Sequence, residues 1–199
     1  MYYMGIDIGA SSVKVAAVDA GCTVLRVIRR AHKGSPLPCL RAMLAELADG
    51  SADRSLPLSA QACGGVVATG SGADILRALV PGLRALEEVP ALVKGVRALN
   101  PQAACIIGMG AQSGVFVTGI ADGVAPEFAM NESCAAGTGS FFEDQMQRLG
   151  LPLERYSDLV AGARSVPRLS GRCSVFAKTD IIHRQQEGVP VEDILQGLC

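Results

Sequence analysis

A single cysteine stands directly ahead of a loop of small residues in the middle of the sequence. Residues 131–139 read N-E-S-C-A-A-G-T-G, so that Cys134 precedes the turn Gly137-Thr138-Gly139. Small residues let backbone N–H groups approach a phosphate, and a helix that starts here adds partial positive charge. The partial positive charge at the start of a helix also stabilises a thiolate. The stretch is therefore a candidate site for a nucleotide, a metal cluster or both, or else a plain strand-to-helix turn with a buried cysteine.

A second candidate site lies near the N-terminus, in a turn between two predicted strands. Asp7 offers a carboxylate for a hydrated Mg²⁺, and Lys14 offers a positive charge for phosphate. Hydroxyl and backbone N–H groups between them can bind oxyanions, and they belong to Gly9, Ala10, Ser11 and Ser12. Taken alone, an Asp-x-Gly turn in a β-hairpin is more often structural, so this site depends on its context.

A third turn of small residues, Gly110-Ala111-Gln112-Ser113, offers amide and hydroxyl groups but neither a carboxylate nor a base. Gln112 is its candidate nucleotide contact. If this turn and the Asp7 turn face each other from two halves of the molecule, they can hold a nucleotide between domains.

Composition excludes several classes of protein. Of the 199 residues, 49% are hydrophobic and none is tryptophan, which predicts an aliphatic core. The net charge of −1, without a basic block, argues against nucleic acid as a partner. The first residues show no signal peptide, and no apolar run is long enough to span a bilayer. We therefore expect a cytoplasmic protein with no membrane partner.

Seven cysteines are many for such a protein, and the number is odd. In a reducing compartment this favours free thiols and metal or cluster ligation over disulfides. No C-x-x-C pair is present, which argues against a zinc ribbon or a self-contained ferredoxin site. His32 and His183 are expected at the surface or in packing rather than as metal ligands.

Hydrophobic alternation and turn residues predict a three-stranded meander at the N-terminus. A helix opened by Ser35-Pro36 and closed by Gly50 follows, because leucines recur there at helical spacing. The predicted strands before Asn100 cover residues 2–8, 13–19, 23–30 and 65–68, and the predicted helices cover residues 36–49, 73–80 and 87–99.

The opening pattern recurs in the second half of the chain. Predicted strands at 103–109, 114–120 and 124–130 repeat the first meander with an offset of 110 − 9 = 101 residues. Such a duplication indicates two related domains, which we place at residues 1–100 and 101–199, divided at Asn100-Pro101. Helices are predicted at 140–149, 152–160 and 179–186, and from Pro190 to the end of the chain.

Four stretches together carry a resemblance to a known family. They are G-I-D-I-G-A-S-S-V-K at 5–14, A-T-G-S-G at 68–72, N-E-S-C-A-A-G-T-G at 131–139 and C-S-V-F-A at 173–177. The chain resembles the BadF/BadG/BcrA/BcrD ATPase family, which includes activators of 2-hydroxyacyl-CoA dehydratases and subunits of benzoyl-CoA reductase. The resemblance runs nearly end to end.

The resemblance implies the α/β fold of actin, sugar kinases and heat-shock chaperones, which is duplicated and related to ribonuclease H, with ATP or ADP and Mg²⁺ in the cleft. It also implies a homodimer that shares one [4Fe–4S] cluster. Each subunit would contribute two of the four thiolates, Cys134 and Cys173, which are 173 − 134 = 39 residues apart. The other cysteines match no ligand of the family and are expected as ordinary thiols: Cys22, Cys39, Cys63, Cys105 and Cys199.

The function that the resemblance implies is ATP-dependent electron transfer. A ferredoxin or flavodoxin would supply the electron, and an acyl-CoA dehydratase or reductase would accept it. Asp7 would be the catalytic carboxylate. The nucleotide contacts would be those of the three turns, namely Gly9, Ala10, Ser11, Ser12, Lys14, Gln112, Gly137, Thr138 and Gly139.

Departures from the family pattern cast doubt on ATP hydrolysis. The family's D-I-G-G-Q-D-S-K at the second hairpin is G-M-G-A-Q-S-G-V here, without its acidic residues and lysine. Its E-I-T-x-H-A-R-G appears as E-V-P-A-L-V-K-G, and V-F-A-E-S-E appears as V-F-A-K-T-D. The family's C-terminal adenosine-binding segment and last helix have no counterpart here. Two alternatives therefore stay open: a non-hydrolysing iron–sulfur protein of the same fold, and a sugar- or acetate-kinase relative without a cluster.

Overall fold

The computed structural model describes residues 1–49, 59–120, 125–131, 138–171 and 173–198. The chain divides into two compact units, the first made of Met1–Ile106 with Gly119–Pro126 and the second of Ile107–Thr118 with Glu127–Cys199. The sequence-based domain boundary at residues 100 and 101 stays a prediction. No helix in the described ranges combines the length and the apolar character that crossing a membrane requires.

The first unit is built on a five-stranded mixed sheet with strand order β3-β2-β1-β4-β5. Its strands are β1 (Tyr2–Ile8), β2 (Ser12–Asp19), β3 (Val24–Ala31), β4 (Cys63–Thr69) and β5 (Arg84–Ala85). The meander β1-β2-β3 is antiparallel, whereas β4 runs parallel to β1 and β5 runs parallel to β4. The carboxyl end of β4 therefore lies beside the end of β1.

One face of this sheet packs on two helices. Alternate residues of β1 are buried, as a half-covered strand requires, and they join Leu40 and Met43 of helix α1 (Pro36–Asp49) and Leu76 of helix α2 (Ala73–Leu79) in one core. Full burial of each aliphatic side chain stabilises the fold by about 1.5–3 kcal/mol. A third helix, α3 (Glu88–Leu99), completes the unit.

The structure confirms the predicted repeat of the meander, most of which belongs to the second unit. Its three-stranded sheet has the order β6-β7-β8, with β6 (Cys105–Met109), β7 (Gly114–Thr118) and β8 (Glu127–Met130). Subtracting 101 from these numbers gives residues 4–8, 13–17 and 26–29, which lie within β1, β2 and β3. Strands β7 and β8 pair antiparallel, from Val115 with Met130 to Thr118 with Glu127.

Helices form the rest of the second unit: α4 (Gly139–Arg148), α5 (Tyr156–Ala161), α6 (Ser174–Gln186) and α7 (Val191–Gly197). Phe141, Ala177, Ile181 and Ile194 bring α4, α6 and α7 together in a small core. The rings of Phe142 and Tyr156 meet edge to face, with centroids 5.2 Å apart.

The predicted elements differ from the structure mainly at their ends. The prediction starts a helix at residue 179, whereas α6 starts at Ser174, because Ala177 and Ile181 are four residues apart and bury one helical face. The segment 152–160 divides into a 3₁₀ turn, Leu153–Arg155, and α5. The last helix ends at Gly197, two residues before the predicted end, and the two-residue strand β5 was not predicted.

Candidate functional site

Asp7 and Lys14 form an ion pair at the open end of the first hairpin. They are cross-strand partners on β1 and β2, and Lys14 Nζ lies 2.5 Å from Asp7 Oδ2. Both side chains remain partly exposed, so the pair contributes only about 0.2–1 kcal/mol and can exchange partners. A Cβ on Gly9 would lie 3.9 Å from both Asp7 Oδ1 and Lys14 Nζ. Glycine thus leaves open the space beside the two charges.

Thr69 of β4 lies next to Asp7 on the side of β1 opposite to β2. The parallel register of β1 and β4 makes Thr69 the Cα partner of Asp7. Its Oγ1 is buried and has no hydrogen-bond partner in the described structure. A buried hydroxyl without a partner is costly, by about 1–3 kcal/mol. The register places this hydroxyl-bearing residue beside the candidate carboxylate.

The loop after β4 packs tightly on the end of β1. Gly72 N–H donates to the Ile8 carbonyl at 2.9 Å, and Ser71 Oγ donates to the same oxygen at 3.4 Å. Gly70 has a φ of +84°, and a Cβ there would collide with Asp7 Oδ1 and lie 2.6 Å from Ile8 O. A Cβ on Gly72 would lie 2.8 Å from the Ile8 Cβ. The glycines of A-T-G-S-G therefore bring this loop against the catalytic candidate Asp7.

His32, the residue directly after β3, supports the first hairpin. Gly34 N–H donates to Nδ1 at 3.1 Å, which places the ring proton on Nε2. Nε2 then donates to the Gly9 carbonyl at 3.1 Å. The backbone N–H of His32 also donates to the Ser11 carbonyl at 3.0 Å. These bonds fix the turn that contains the predicted phosphate ligands Gly9, Ala10, Ser11 and Ser12.

The second hairpin is held closed by its own polar groups. Gly110 N–H donates to the Ser113 carbonyl at 2.6 Å, which matches the bond from Gly9 to Ser12 in the first hairpin. The Asn131 side chain accepts from Gly114 N–H at 2.6 Å and donates to the Gln112 carbonyl at 3.4 Å. Asn131, the first residue of N-E-S-C-A-A-G-T-G, is thus an anchor for this turn.

The end of the same motif packs on the hairpin as well. Gly139 N–H donates to the Gly110 carbonyl at 2.8 Å, and Ser140 N–H donates to the Ala111 carbonyl at 2.9 Å. A Cβ on Gly139 would lie 2.9 Å from Gly110 O. Thr138 is fully buried. Close packing accounts for the glycine at 139, and phosphate binding by Gln112, Thr138 and Gly139 stays a prediction.

Of the two predicted cluster ligands, Cys173 is described and Cys134 lies outside the described residues, as does Gly137. Cys173 is half-buried and carries a free thiol. Its extended backbone caps α6, and its carbonyl accepts the Ala177 N–H at 2.9 Å. A thiolate there lies at the positive end of a helix. Within the described residues, no three His, Cys, Asp or Glu side chains are grouped so that they could hold a metal ion.

An ion pair connects the helices that follow the two predicted ligands. Lys178 Nζ of α6 lies 2.7 Å from Asp144 Oδ2 of α4. The hydrogen bond from Lys178 and its positive charge hold the pKa of the Asp144 carboxyl below its usual range, against the opposing effect of desolvation. Lys178 lies in the stretch V-F-A-K-T-D that the sequence analysis singled out.

The model of the BadF/BadG/BcrA/BcrD ATPase family matches residues 4–199. This chain belongs to that family. The activator of lactoyl-CoA dehydratase of Anaerotignum propionicum is 28% identical over 205 residues, which cover all of this chain and 73% of the relative. The (R)-2-hydroxyglutaryl-CoA dehydratase activating ATPase of Acidaminococcus fermentans is 25% identical over 203 residues, with the same two coverages. These relatives are activators of 2-hydroxyacyl-CoA dehydratases.

Solved structures establish the fold of this family member. Component A of the (R)-2-hydroxyglutaryl-CoA dehydratase of Acidaminococcus fermentans superposes with a TM-score of 0.85 and 23% identity, over all of this chain and 73% of that one. The activator of the 2-hydroxyisocaproyl-CoA dehydratase of Clostridium difficile with bound ADPNP superposes with a TM-score of 0.81 and 24% identity. The match covers 100% of this chain and 70% of that one. The predicted actin/sugar-kinase/heat-shock-chaperone fold is confirmed.

The residues around Asp7 fit a nucleotide with its metal ion. A carboxylate and an ammonium group meet beside Gly9, and Thr69 is the neighbour of Asp7 on β4. Carboxylates and waters are the ligands that Mg²⁺ prefers. For a cluster, Cys173 supplies the right donor chemistry, and a site shared by two subunits needs only two thiolates from each.

Sequence reasoning had not assigned Thr69, Gly70 and His32 to the site, and it gave Asn131 no role of its own within residues 131–139. The sequence did point to Thr69 and Gly70 indirectly, because they belong to the A-T-G-S-G stretch that contributes to the family resemblance, but it gave that stretch no role. His32 carried no signal, because a histidine after a strand is usually a surface residue. Only the pairing of β1 with β4 brings Thr69 next to Asp7.

Proposed function

We propose that this protein is an ATP-dependent activator that passes an electron through a shared [4Fe–4S] cluster to a 2-hydroxyacyl-CoA dehydratase or a benzoyl-CoA-reductase-type partner. The observation that carries the proposal is the arrangement of Asp7, Lys14 and Thr69 in a family whose relatives activate such dehydratases. Cys173 at the start of α6 supports the cluster. ADPNP in a similar structure supports nucleotide binding.

The roles of the residues follow from their chemistry. Asp7 would orient the waters of a bound Mg²⁺, and Lys14 would turn from Asp7 to a phosphate oxygen at a cost of about 1 kcal/mol or less. Cys134 and Cys173 would hold the cluster, which supplies one-electron chemistry when bound. Nucleotide turnover would then change the environment of the cysteine-bearing elements.

Iron content tests the cluster directly. Protein purified without oxygen should contain about four irons and four sulfides per dimer. Cys134→Ser and Cys173→Ser should each abolish this content, because each removes two of four ligands in the dimer. Cys105→Ser, at an exposed thiol, is the matched control and should retain it. An iron-free wild-type monomer under these conditions would refute the electron-transfer function.

The altered second hairpin favours a second candidate, an iron–sulfur protein that binds nucleotide without hydrolysing it. Gly108 and Val115 stand where the first hairpin has Asp7 and Lys14, so this turn has neither charge. This second candidate predicts phosphate release from ATP no faster than from the Asp7→Asn variant, whereas the ATP-dependent activator predicts faster release. Release well above that variant would establish hydrolysis and exclude the second candidate. A kinase relative would instead be iron-free and would phosphorylate a sugar or acetate.

A further inference from the structure

The third strand of each meander is followed directly by a residue that bonds back to the hairpin formed by the first two strands. His32 follows β3, and Asn131 follows β8. The backbone N–H of His32 donates to the Ser11 carbonyl, and that of Asn131 donates to the Gly114 carbonyl, both at 3.0 Å. The side chains of both residues bond to their hairpins as well. The duplicated hairpins therefore have an anchor residue at the same place, with an imidazole in the first and an amide in the second.

In the first hairpin, this anchor holds two carbonyl groups of the turn. The His32 ring donates from Nε2 to the Gly9 carbonyl at 3.1 Å, and the His32 backbone N–H holds the Ser11 carbonyl. A peptide unit is planar, and none of the described ones is cis, so each N–H points away from the carbonyl of the same unit. The N–H groups of Ala10 and Ser12 are therefore directed away from His32.

The side chain of His32 decides only one of these two orientations. The peptide that joins Gly9 to Ala10 is bonded to the ring, whereas the peptide that joins Ser11 to Ser12 is bonded to the backbone of residue 32. Ala10 is exposed, so a ligand can approach it. Backbone N–H groups that a turn directs to one side bind anions such as phosphate. The ring thus controls one candidate phosphate donor, the Ala10 N–H.

The second hairpin holds the same two carbonyls of its turn by other donors. The carbonyl of its first residue, Gly110, accepts from Gly139 N–H at 2.8 Å. The carbonyl of its third residue, Gln112, accepts from the Asn131 side chain at 3.4 Å. Both turns therefore have the carbonyls of their first and third residues bonded from outside the turn. What the two copies share is the orientation of the turn, and not one particular contact.

We propose that His32 is a positioning residue of the nucleotide site, and that its ring holds the peptide between Gly9 and Ala10 so that the Ala10 N–H faces a phosphate group. This role rests on the nucleotide binding of the proposed function, to which it adds a residue outside the phosphate turns. Without the ring bond, the peptide is free to rotate, and a bound nucleotide has to order it again. Loss of one such hydrogen bond should weaken nucleotide binding about two- to tenfold.

Two substitutions that each retain one bond of the ring test the proposal. The amide nitrogen in His32→Gln can take the place of Nε2 and donate to Gly9, but Gly34 N–H loses its acceptor. The amide oxygen in His32→Asn can take the place of Nδ1 and accept from Gly34, but the shorter side chain does not reach Gly9. Calorimetry with ADPNP and Mg²⁺ should give the wild-type affinity for His32→Gln and about two- to tenfold weaker binding for His32→Asn.

Urea unfolding separates positioning from stability, because each variant loses one hydrogen bond. Similar stabilities of the two variants, together with different affinities, would support positioning. Affinities that simply follow the stabilities would show a structural role and overturn the proposal. His183→Asn is the matched control, since His183 is the other histidine of the chain and is exposed on α6. It should bind ADPNP as the wild-type protein does.

Equal affinities of His32→Gln and His32→Asn for ADPNP would also overturn the proposal, as would weaker binding by His32→Gln than by His32→Asn. In these cases the wild-type protein still binds ADPNP, so the nucleotide binding of the proposed function would stand. A wild-type protein that does not bind ADPNP would instead refute nucleotide binding itself, and the role of His32 with it.

Discussion

Gly70 holds the loop after β4 against the carboxylate of Asp7. Its backbone has a φ of +84°, a conformation that residues with a Cβ rarely adopt. Its missing Cβ also makes room for Asp7 Oδ1 and the Ile8 carbonyl. Gly70 is therefore required both for its positive φ and for the close approach of Asp7. A glycine elsewhere that has only the positive φ allows the two effects to be measured separately.

Gly34 is that match, because it has the same φ of +84° but nothing within 4 Å of an added Cβ. Gly34→Ala should lower the free energy of unfolding by about 1–2 kcal/mol through the backbone alone. Gly70→Ala should lower it by about 1–3 kcal/mol more, because Asp7 or the loop must move. Urea unfolding measures both.

The same pair of variants tests the nucleotide site. Gly70→Ala should also weaken ADPNP binding, measured by calorimetry, since it displaces Asp7, whereas Gly34→Ala should leave binding unchanged. Equal losses of stability, together with unchanged ADPNP binding in both variants, would show that Gly70 serves only the turn.

At the scale of elements, the contact between Asp144 and Lys178 connects α4 with α6. Each of these helices begins shortly after a predicted cluster cysteine. Because Lys178 holds the pKa of Asp144 below its usual range, the folded state favours the ionised carboxyl. This contribution is complete above the unfolded-state pKa, about 3.9, and is lost as the pH falls through the lower pKa of the folded state.

Lys178→Met should remove this contribution. Both side chains are partly exposed, so we expect a loss of about 0.2–1 kcal/mol at pH 7 and almost none in strong acid. Urea unfolding across this pH range measures the difference between variant and wild type. Arg184→Met is the control, because Arg184 pairs with Glu187, three residues further along the chain, at 2.7 Å and joins no second helix.

These unfolding measurements also show whether the contact between Asp144 and Lys178 acts through charge or through packing. A difference between Lys178→Met and wild type that does not change with pH would mean that the lysine acts through packing. A larger effect in Arg184→Met than in Lys178→Met would mean that the contact between α4 and α6 adds nothing to the stability of the second unit.

At the scale of the whole molecule, the proposed function requires the nucleotide site and the cluster to be coupled. The predicted phosphate loop and Cys134 belong to one short stretch of sequence. Nucleotide binding at the loop should therefore change the environment of the cluster. Anaerobic samples should differ in cluster spectrum or reduction potential with and without ATP. Asp7→Asn should abolish the difference without loss of iron.

Asp74→Asn is the control, because Asp74 is an exposed carboxylate on α2 that pairs with Arg77. It should retain the response to ATP. Identical spectra and potentials of the wild-type protein in both conditions would refute the coupling. A retained response in Asp7→Asn would move the nucleotide site away from the first hairpin.

Much of the fold followed from local patterns. The alternation in Tyr2–Ile8, the proline at the start of α1 and the repeat offset of 101 residues predicted elements that the structure confirms. The first helical residues of α6 escaped prediction, because Val175 and Phe176 are exposed and hide the helical pattern of Ala177 and Ile181. Tertiary packing decides such a boundary.

The sequence by itself determined most strands and helices, the duplication and the family, because these depend on residue types at fixed short spacings. It also selected Asp7, Lys14 and Cys173 as residues able to do chemistry. Only the tertiary structure placed Thr69 beside Asp7, His32 under the Gly9 carbonyl and Lys178 against Asp144. Those contacts join residues that are 23 to 62 positions apart, as 32 − 9 = 23 and 69 − 7 = 62 show. They depend on which strands pair and in which register, which no local pattern specifies.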